Sequence, residues 1–371
     1  MARALWLASS AVLTACGFTP GEIGMQGGDG GVDSSVEMRP DTPPGQSCFG
    51  TGLATVCYEA GQLPTGEYRP AAGSLSTGVA ANCDRTMPQD DGPELCIKHA
   101  ATIVIENNVV WTGSRPLVLV ATQSITIASN GDLDVSRGAG GSGTGCVSAG
   151  TGSADTSSSS GAGAGGGGGG GLGGPGGSGS DGAGSGTGGN AGGMLVPTVV
   201  RGGCPGAKGG DSSAGTGGTR GDPGGGVYLI AGSTIVIAGN VLANGGGGIG
   251  GVNKAGGGGG GSGGLIGLDA PTVTMGTDAA LSANGGGGGE GGGAGFGGGD
   301  GDDALTYDTR ADGGSGNISG SNGGNGSIGA TDPTGGGTGG NGGGGGGGGK
   351  GIIRVFATNK TLNARISPPA I

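Results

Sequence analysis

The carboxylates with the clearest capacity for chemistry lie in a glycine-rich segment, at Asp300, Asp302 and Asp303. The nine residues that begin at Gly298 match the calcium-binding nonapeptide G-G-x-G-x-D-x-U-x at every fixed position. Its glycines permit a tight turn, and carboxylate and carbonyl oxygens are the ligands that Ca²⁺ prefers. A complete site needs a second such turn, and the preceding window, 289–297, lacks the Asp. The sequence therefore predicts a weak calcium site at these three residues, with a solvated acidic loop as the alternative.

Side chains suited to catalysis are otherwise sparse. His99 is the only histidine, which excludes a His-rich metal site and argues against a catalytic triad. A second group of carboxylates predicts either a solvated loop or a cation site, and it consists of Asp84, Asp90, Asp91 and Glu94. Because an active site needs convergent polar groups, no catalytic residue is assigned and a non-enzymatic protein is expected.

The N-terminal residues have the layout of a secretory signal peptide, with one positive charge at Arg3, an apolar stretch over 4–12 and small residues before a cysteine. Leu13-Thr14-Ala15-Cys16 resembles the lipobox of bacterial lipoproteins, whose cysteine becomes the first residue and carries the lipid. The resemblance implies a signal peptide over residues 1–15 and lipidation at Cys16. A buried N-terminal strand or helix, and an ordinary thiol after a conventional signal, are the alternatives.

The same resemblance bears on location. In lipoproteins of this kind, retention in the inner membrane typically requires Asp directly after the lipidated cysteine, and Gly17 stands there. We therefore expect a lipid-anchored protein of the cell envelope, at the outer membrane, which contacts the membrane through its N-terminal lipid. The net charge of −11 makes nucleic acid a poor partner.

Six cysteines remain after Cys16 is set aside, and an even number in an exported chain predicts disulfides. Order along the chain suggests the pairs Cys48–Cys57, Cys83–Cys96 and Cys146–Cys204. Zinc is the alternative, but no two cysteines have the CxxC spacing that is typical of structural zinc sites.

Glycine supplies 110 of the 371 residues, and its tracts are interrupted by regularly spaced apolar segments. Collagen is excluded because no G-X-Y period runs through the chain. Two interpretations of the tracts stay open. They are flexible linkers, or they are extended polyglycine helices that pack because the absence of side chains lets backbones approach and pair.

The chain divides into four regions. After the signal peptide come a flexible tether at 16–47, rich in Gly, Pro, Asp and Ser, and an irregular cysteine-containing cap at 48–94. Over 95–371, apolar residues recur in pairs with a spacing of two, which indicates strands with one buried face. The central pairs are Ile103/Ile105, Ile125/Ile127, Ile235/Ile237, Val273/Met275 and Leu362/Ala364. The first two pairs are 22 residues apart, which suits one coil of a parallel β-solenoid.

Gly-rich tracts follow Val135, Ala243 and Ala283, and two of them begin with Asn244-Gly245 and Asn284-Gly285. Asn-Gly predicts a turn, since both residues tolerate positive φ. Insertions at one corner of a solenoid lie on one face. We therefore predict an all-β fold, a single-stack parallel β-solenoid with Gly-rich corner insertions and a disulfide-stapled N-terminal cap.

Together these features resemble bacterial glycine-rich surface lipoproteins, which are broadly similar to the polymorphic glycine-rich (PGRS-type) repeat proteins. The resemblance rests on the lipobox, the stretch 113–121, the strand end 131–136 and the Gly tracts. It implies surface exposure and a structural, adhesive or matrix-contact role, and it brings no catalytic residue. The alternatives are a β-solenoid that binds or cleaves surface polysaccharide, and a weak calcium-binding surface module.

Overall fold

A computed structural model describes residues 45–136, 138, 145–155, 162–316, 319–363 and 365–371. The predicted signal peptide, Cys16 and residues 16–44 of the predicted tether lie outside this part of the chain. Within it, regular structure is β-strand, apart from a 3₁₀ turn at Ala80–Asn82. In chain order the strands are β1 Gln46–Phe49, β2 Val56–Glu59, β3 Glu67–Tyr68, β4 Gly73–Ser76, β5 Arg85–Gln89, β6 Gly92–Ile105, β7 Asn108–Thr112, β8 Leu117–Ile127, β9 Asp132–Asp134, β10 Gly226–Ala231, β11 Thr234–Ile237, β12 Asn240–Leu242, β13 Leu265–Asp269, β14 Thr272–Met275, β15 Ala280–Ser282, β16 Ile352–Phe356, β17 Asn359–Thr361 and β18 Ile366–Ser367.

Most strands belong to two sheets in which pairing is chiefly parallel. The larger sheet has ten strands, with the long strand β8 near its centre, and one of the sheets curls into half a barrel. The first half of β8 pairs with β10 and its second half pairs with β11. The smaller sheet has six strands in the order β18-β15-β12-β9-β7-β4. From β10 onwards, each repeating unit of the chain therefore contributes two strands to the larger sheet and then one strand to the smaller sheet.

Equivalent apolar residues of successive strands stack in register and form the core. In the larger sheet one fully buried column is Ile103, Ile125, Ile235 and Val273. In the smaller sheet a second column is Val109, Leu133, Val241, Leu281 and Ile366. Removing one such side chain from water contributes roughly 1.5–3 kcal/mol. The first four apolar pairs found in the sequence therefore occupy equivalent core positions.

The fifth predicted pair, Leu362/Ala364, is wrong in register at Leu362, and Ala364 lies outside the described residues. Strand β17 places Lys360 opposite Val273, and Leu362 packs against the core from beyond the strand end. The reason is the corner before the strand, because two residues separate β16 from β17 just as two separate β13 from β14. Because the two corners have equal length, Asn359, the first residue of β17, pairs with Thr272, the first residue of β14.

The larger sheet is buried on both faces where β10 runs, because the antiparallel β1–β2 hairpin covers its outer side. Asp269 holds the chain that joins β1 to β2 in place. Its carboxylate accepts hydrogen bonds from Thr51 N at 2.5 Å, Thr51 Oγ1 at 2.9 Å and Gly52 N at 2.9 Å. The Tyr228 hydroxyl donates to the same carboxylate at 2.9 Å. Charge-assisted bonds of this kind are the stronger ones in proteins.

The segment 48–94, predicted to be irregular, contributes strands to both sheets. Strand β3 pairs with β6 and strand β4 pairs with β7, both in the parallel sense. Strand β5 pairs with β6 in the antiparallel sense. These strands were not recognised in the sequence because each strand is short and is surrounded by aromatic and turn residues. A strand of that length does not show a clear period of two.

The Gly-rich insertions leave the strands at one kind of corner. They connect β9 to β10, β12 to β13, and β15 to β16. Each therefore begins at the end of a strand of the smaller sheet and ends at the start of a strand of the larger sheet. Their starting points after Val135, Ala243 and Ala283 agree with the sequence prediction. No helix in the described part of the chain has the length and apolar character to cross a membrane.

Candidate functional site

The Gly-rich insertions form a bundle of extended backbone segments that hydrogen-bond with a period of three. Ala164, Gly167 and Gly170 donate to the carbonyls of Lys254, Gly257 and Gly260. The amides one residue further along bond to a different segment, as in the bonds from Gly165 to Ser153 and from Gly168 to Gly150. Three residues per turn is the geometry of the polyproline II helix. We call this assembly the polyglycine bundle.

A segment inside the polyglycine bundle is bonded on all sides. The segment 164–170 donates amide hydrogen bonds to three neighbours and accepts from three others. The donors bond to 150–153, 177–180 and 254–260, and the carbonyls accept from 189–192, 207–210 and 343–349. The segment 255–264 is surrounded in the same way by 164–170, 204–210, 218–224, 243–252, 286–292 and 343–349. Backbone groups of these buried segments are thus paired with other backbone.

At many inner positions of the polyglycine bundle only glycine fits. A Cβ atom at Gly166 would lie 2.0 Å from the carbonyl oxygen of Gly344, and one at Gly167 would lie 2.1 Å from that of Ala207. At Gly168 the distance to the carbonyl oxygen of Asn190 would be 2.0 Å. Cβ atoms on these three successive residues would point in three directions, and each would meet the backbone of a different segment. The long glycine runs are therefore a packing requirement, and the flexible-linker interpretation of these tracts is wrong.

Side chains recur at every third residue where segments lie at the surface. We define the outer face by the adjacent segments 145–155, 201–211 and 215–225. Thr151, Lys208 and Thr219 lie side by side across it, since Gly152 N bonds to Lys208 O and Gly209 N bonds to Gly218 O. Rows one turn away on either side are Ser148, Pro205 and Asp222, and Ala154, Asp211 and Thr216.

A groove of about 560 Å³ runs over this outer face. Its lining carries two cations and three hydroxyl groups and has no carboxylate. The lining residues are Cys146, Ser148, Ala149, Thr151, Pro205, Gly206, Ala207, Lys208, Thr219 and Arg220. Lys208 Nζ donates to Asp211 Oδ1 at 2.6 Å, outside the groove, and this contact holds the pKa of Asp211 below its usual range, with help from the Gly217 amide.

The three predicted disulfides are confirmed as Cys48–Cys57, Cys83–Cys96 and Cys146–Cys204. The third joins two segments of the outer face, and it has an unusual neighbour. Arg201, 6% exposed, places Nη2 at 2.9 Å from Cys146 Sγ and 3.8 Å from Cys204 Sγ. Burial lowers the pKa of this guanidinium. No ion pair among the described residues neutralises it, and sequence spacing gave no sign of it.

The predicted calcium residues take part in the hydrogen bonding of the polyglycine bundle. Asp303 Oδ1 accepts from Gly247 N at 2.9 Å, and Asp300 Oδ1 accepts from Gly250 N at 2.9 Å. The two donors are three residues apart, and so are the two acceptors. The two carboxylates therefore accept amide hydrogen bonds that backbone carbonyls accept elsewhere in the bundle. Asp302 is exposed. Within the described chain, no group of three His, Cys, Asp or Glu residues is arranged to hold a metal ion.

His99 and the acidic cluster take part in ordinary packing and ion pairs. His99 Nδ1 lies 3.3 Å from the Tyr58 hydroxyl, and burial lowers the pKa of this imidazole. Burial likewise raises the pKa of Tyr58 to about 12. Asp84 accepts from Lys98 Nζ at 2.5 Å and from His99 N at 2.8 Å.

The remaining carboxylates of the cluster lie apart from this group. Glu94 pairs with Arg115 at 2.5 Å, and the guanidinium lowers the pKa of Glu94. Asp91 occupies a turn with φ 59°. The predicted cation site is therefore not assembled.

Sequence reasoning missed a buried ladder of polar side chains where the chain leaves the smaller sheet. Asn244 Oδ1 accepts from Ser282 Oγ at 2.7 Å and from Asn284 N at 2.8 Å. Asn284 Oδ1 accepts from Ser367 Oγ at 2.5 Å. Neither Asn has a positive φ, so the predicted Asn-Gly turns are wrong. Recurrence of Asn directly after Ala243 and Ala283 was the available signal.

Comparison of the chain with protein-family models, curated proteins and solved structures gives no match.

Proposed function

We propose that the chain is a membrane-anchored cell-surface lipoprotein with a non-enzymatic structural, adhesive or matrix-contact role. The observation that carries this proposal is the polyglycine bundle. Its inner backbone groups bond to one another, and many of its inner positions have no room for a side chain. Such a bundle is suited to present a regular surface, because surface residues at every third position all point outward. The described residues inside it include no convergent set of acid, base and nucleophile.

We propose further that the strands form a single-stack parallel β-solenoid that supports the polyglycine bundle. Two features support this architecture. Successive strands β10, β13 and β16 pair in parallel with aligned registers, as do β11, β14 and β17. All three Gly-rich insertions also start from the same sheet, so that segments distant in sequence meet in one bundle.

The anchor is tested by metabolic labelling with a palmitate analogue in the native host. We expect the wild-type chain to be labelled and to fractionate with the outer membrane, and Cys16→Ser to lose both properties. Cys146→Ser is the matched control, because it removes a cysteine that the lipobox does not include. Wild-type protein that stays soluble and unlabelled would overturn the anchor.

The surface role is tested on intact cells. We expect an externally added protease or antibody to reach the wild-type protein, and deletion of the gene to reduce attachment to polysaccharide-coated surfaces. Incubation of the purified chain with the same polysaccharides should release no new reducing ends. New reducing ends that no longer form when an Asp or Glu of the chain is substituted would favour the polysaccharide-cleaving alternative.

A further inference from the structure

We propose that the groove on the outer face binds an anionic polysaccharide whose sugars carry carboxylate or sulfate groups. This inference deepens the proposed surface role and rests on it for access to such a polymer. The proposal starts from charge. The chain as a whole carries a net charge of −11, yet the lining of this groove contains Lys208 and Arg220 and no carboxylate.

The cations of the groove are available to a ligand. Arg220 is exposed, and no ion pair is present for it within the described residues. Lys208 pairs with Asp211 only at the surface, where both side chains are about half exposed. Exposed pairs of this kind contribute about 0–1 kcal/mol, so an acidic ligand can replace Asp211 at small cost.

A third positive charge lies beneath the groove wall. The guanidinium of Arg201 contacts the sulfur of Cys146, and Cys146 itself lines the groove. Arg201 has no carboxylate partner among the residues that the structure describes. Because its surroundings exclude water, its charge is screened less than that of an exposed cation. The three cations together make the groove locally attractive to anions.

Hydroxyl groups complete the recognition surface. Ser148, Thr151 and Thr219 line the groove, and their side chains make no hydrogen bond to other described residues. Each hydroxyl both donates and accepts, which suits the hydroxyl groups of sugars. The floor is made of small residues, Gly206 and Ala207, so that a ligand meets a shallow surface. No aromatic side chain lines the groove, which disfavours single-stranded nucleic acid because its bases stack on aromatic rings.

The periodicity of the outer face favours a polymer over a small molecule. Outward side chains recur every third residue, and a rise of about 3.1 Å per residue separates successive rows by about 9 Å. Polar positions such as Ser148 and Thr151, or Thr216 and Thr219, therefore repeat along two of the segments. A linear chain of sugars can contact more than one of these hydroxyl groups at once and gain affinity from each of them.

The proposal is tested by measuring binding of the full processed chain, in detergent, to immobilised polygalacturonate, heparin and neutral dextran. We expect binding to the two acidic polymers that weakens with salt, and no binding to dextran. Arg220→Gln and Lys208→Gln should each lower the affinity about tenfold, which corresponds to about 1.4 kcal/mol. Lys360→Gln is the matched control, because it removes an exposed cation outside the groove and should change affinity less than about twofold.

Several results would overturn the proposal. They are equal affinity for dextran, unchanged affinity in both groove variants, or tighter binding to a single-stranded oligonucleotide than to either polysaccharide. Circular dichroism of each variant establishes that its fold is intact. Surface exposure is scored separately on cells. A displayed protein that fails to bind acidic polymers defeats only this inference, whereas a binding-competent protein that is never displayed defeats only the proposed function.

Discussion

The two parallel sheets, which we call the strand stack, are held together by side chains, whereas the polyglycine bundle is held together by backbone hydrogen bonds. Ile125 and Ile235 are fully buried and stack between successive strands of the larger sheet. Gly167 and Gly258 instead donate and accept backbone hydrogen bonds among segments too close for any side chain. The two regions should therefore respond oppositely to the size of a residue. The stack is damaged when atoms are removed, and the bundle is damaged when atoms are added.

The largest effect is expected from adding atoms to the bundle. Gly167→Val would place a Cβ about 2 Å from the carbonyl oxygen of Ala207, which no rotamer can relieve. Overpacking in cores typically costs about 1–3 kcal/mol and sometimes more, and we expect more than about 3 kcal/mol here. Thermal unfolding by circular dichroism measures the loss. Gly297→Ala is the control, because nothing lies within 4 Å of a Cβ at that position. Equal destabilisation at both positions would contradict the close packing.

Removing atoms from the stack should have the next largest effect. Ile235→Ala deletes a buried side chain between Ile125 and Val273, and such truncations cost about 2–5 kcal/mol. Val236→Ala, in the same strand but 38% exposed, should cost less than about 1 kcal/mol. Urea unfolding measures both free energies. A difference below the experimental error would mean that β11 has no buried face.

A smaller effect is expected at the carboxylates that complete the bundle. Asp303→Ala removes the acceptor for the Gly247 amide and should cost about 1–2 kcal/mol. Asp302→Ala should be nearly neutral, since its carboxylate accepts no hydrogen bond from a described residue. Millimolar Ca²⁺ should leave the unfolding midpoint of the wild type unchanged. A stabilisation by Ca²⁺ that disappears in Asp303→Ala would restore the calcium-site hypothesis.

The smallest effect concerns pH and belongs to the stack. Burial lowers the pKa of His99 below its unfolded value, so the unfolded chain binds more protons between the two pKa values. Stability should therefore fall as the pH drops below about 6.5. Because His99 is the only histidine, His99→Gln should flatten the stability profile between pH 7 and 5, as measured by denaturant titration. A profile that is unchanged in the variant would assign the slope to other groups.

The sequence was most informative where a side chain carries the pattern. Alternating apolar residues located the strands of the stack, and the order of the six cysteines predicted their pairing. The register of β17 could not be predicted in this way, because the exposed Lys360 pairs with the buried Val273 and Leu362 imitates the missing apolar residue. The alternation of apolar and polar residues does not show how many residues form the corner between two strands.

The bundle was harder to predict because glycine has no side chain whose period can be detected. The available signal was indirect and came from the exceptions, since Thr216, Thr219 and Asp222 recur at every third residue in a surface segment. Their spacing matches the three residues per turn of an extended helix. Asp300 and Asp303 have the same spacing, but their identity as carboxylates suggested metal binding instead.

Hydrogen–deuterium exchange of glycine amides tests the backbone-bonded bundle most directly. In a chain labelled with ¹⁵N-glycine, NMR would follow the amides of 165–170 and 256–261 beside those of Gly226 and Gly267 in strands of the stack. The amides of both glycine runs bond to neighbouring segments, and amides that open only by unfolding exchange slowly. We expect protection of the runs that is comparable to that of the strand glycines. Exchange of the glycine runs at the rate of an unfolded peptide, while the strands stay protected, would contradict the account.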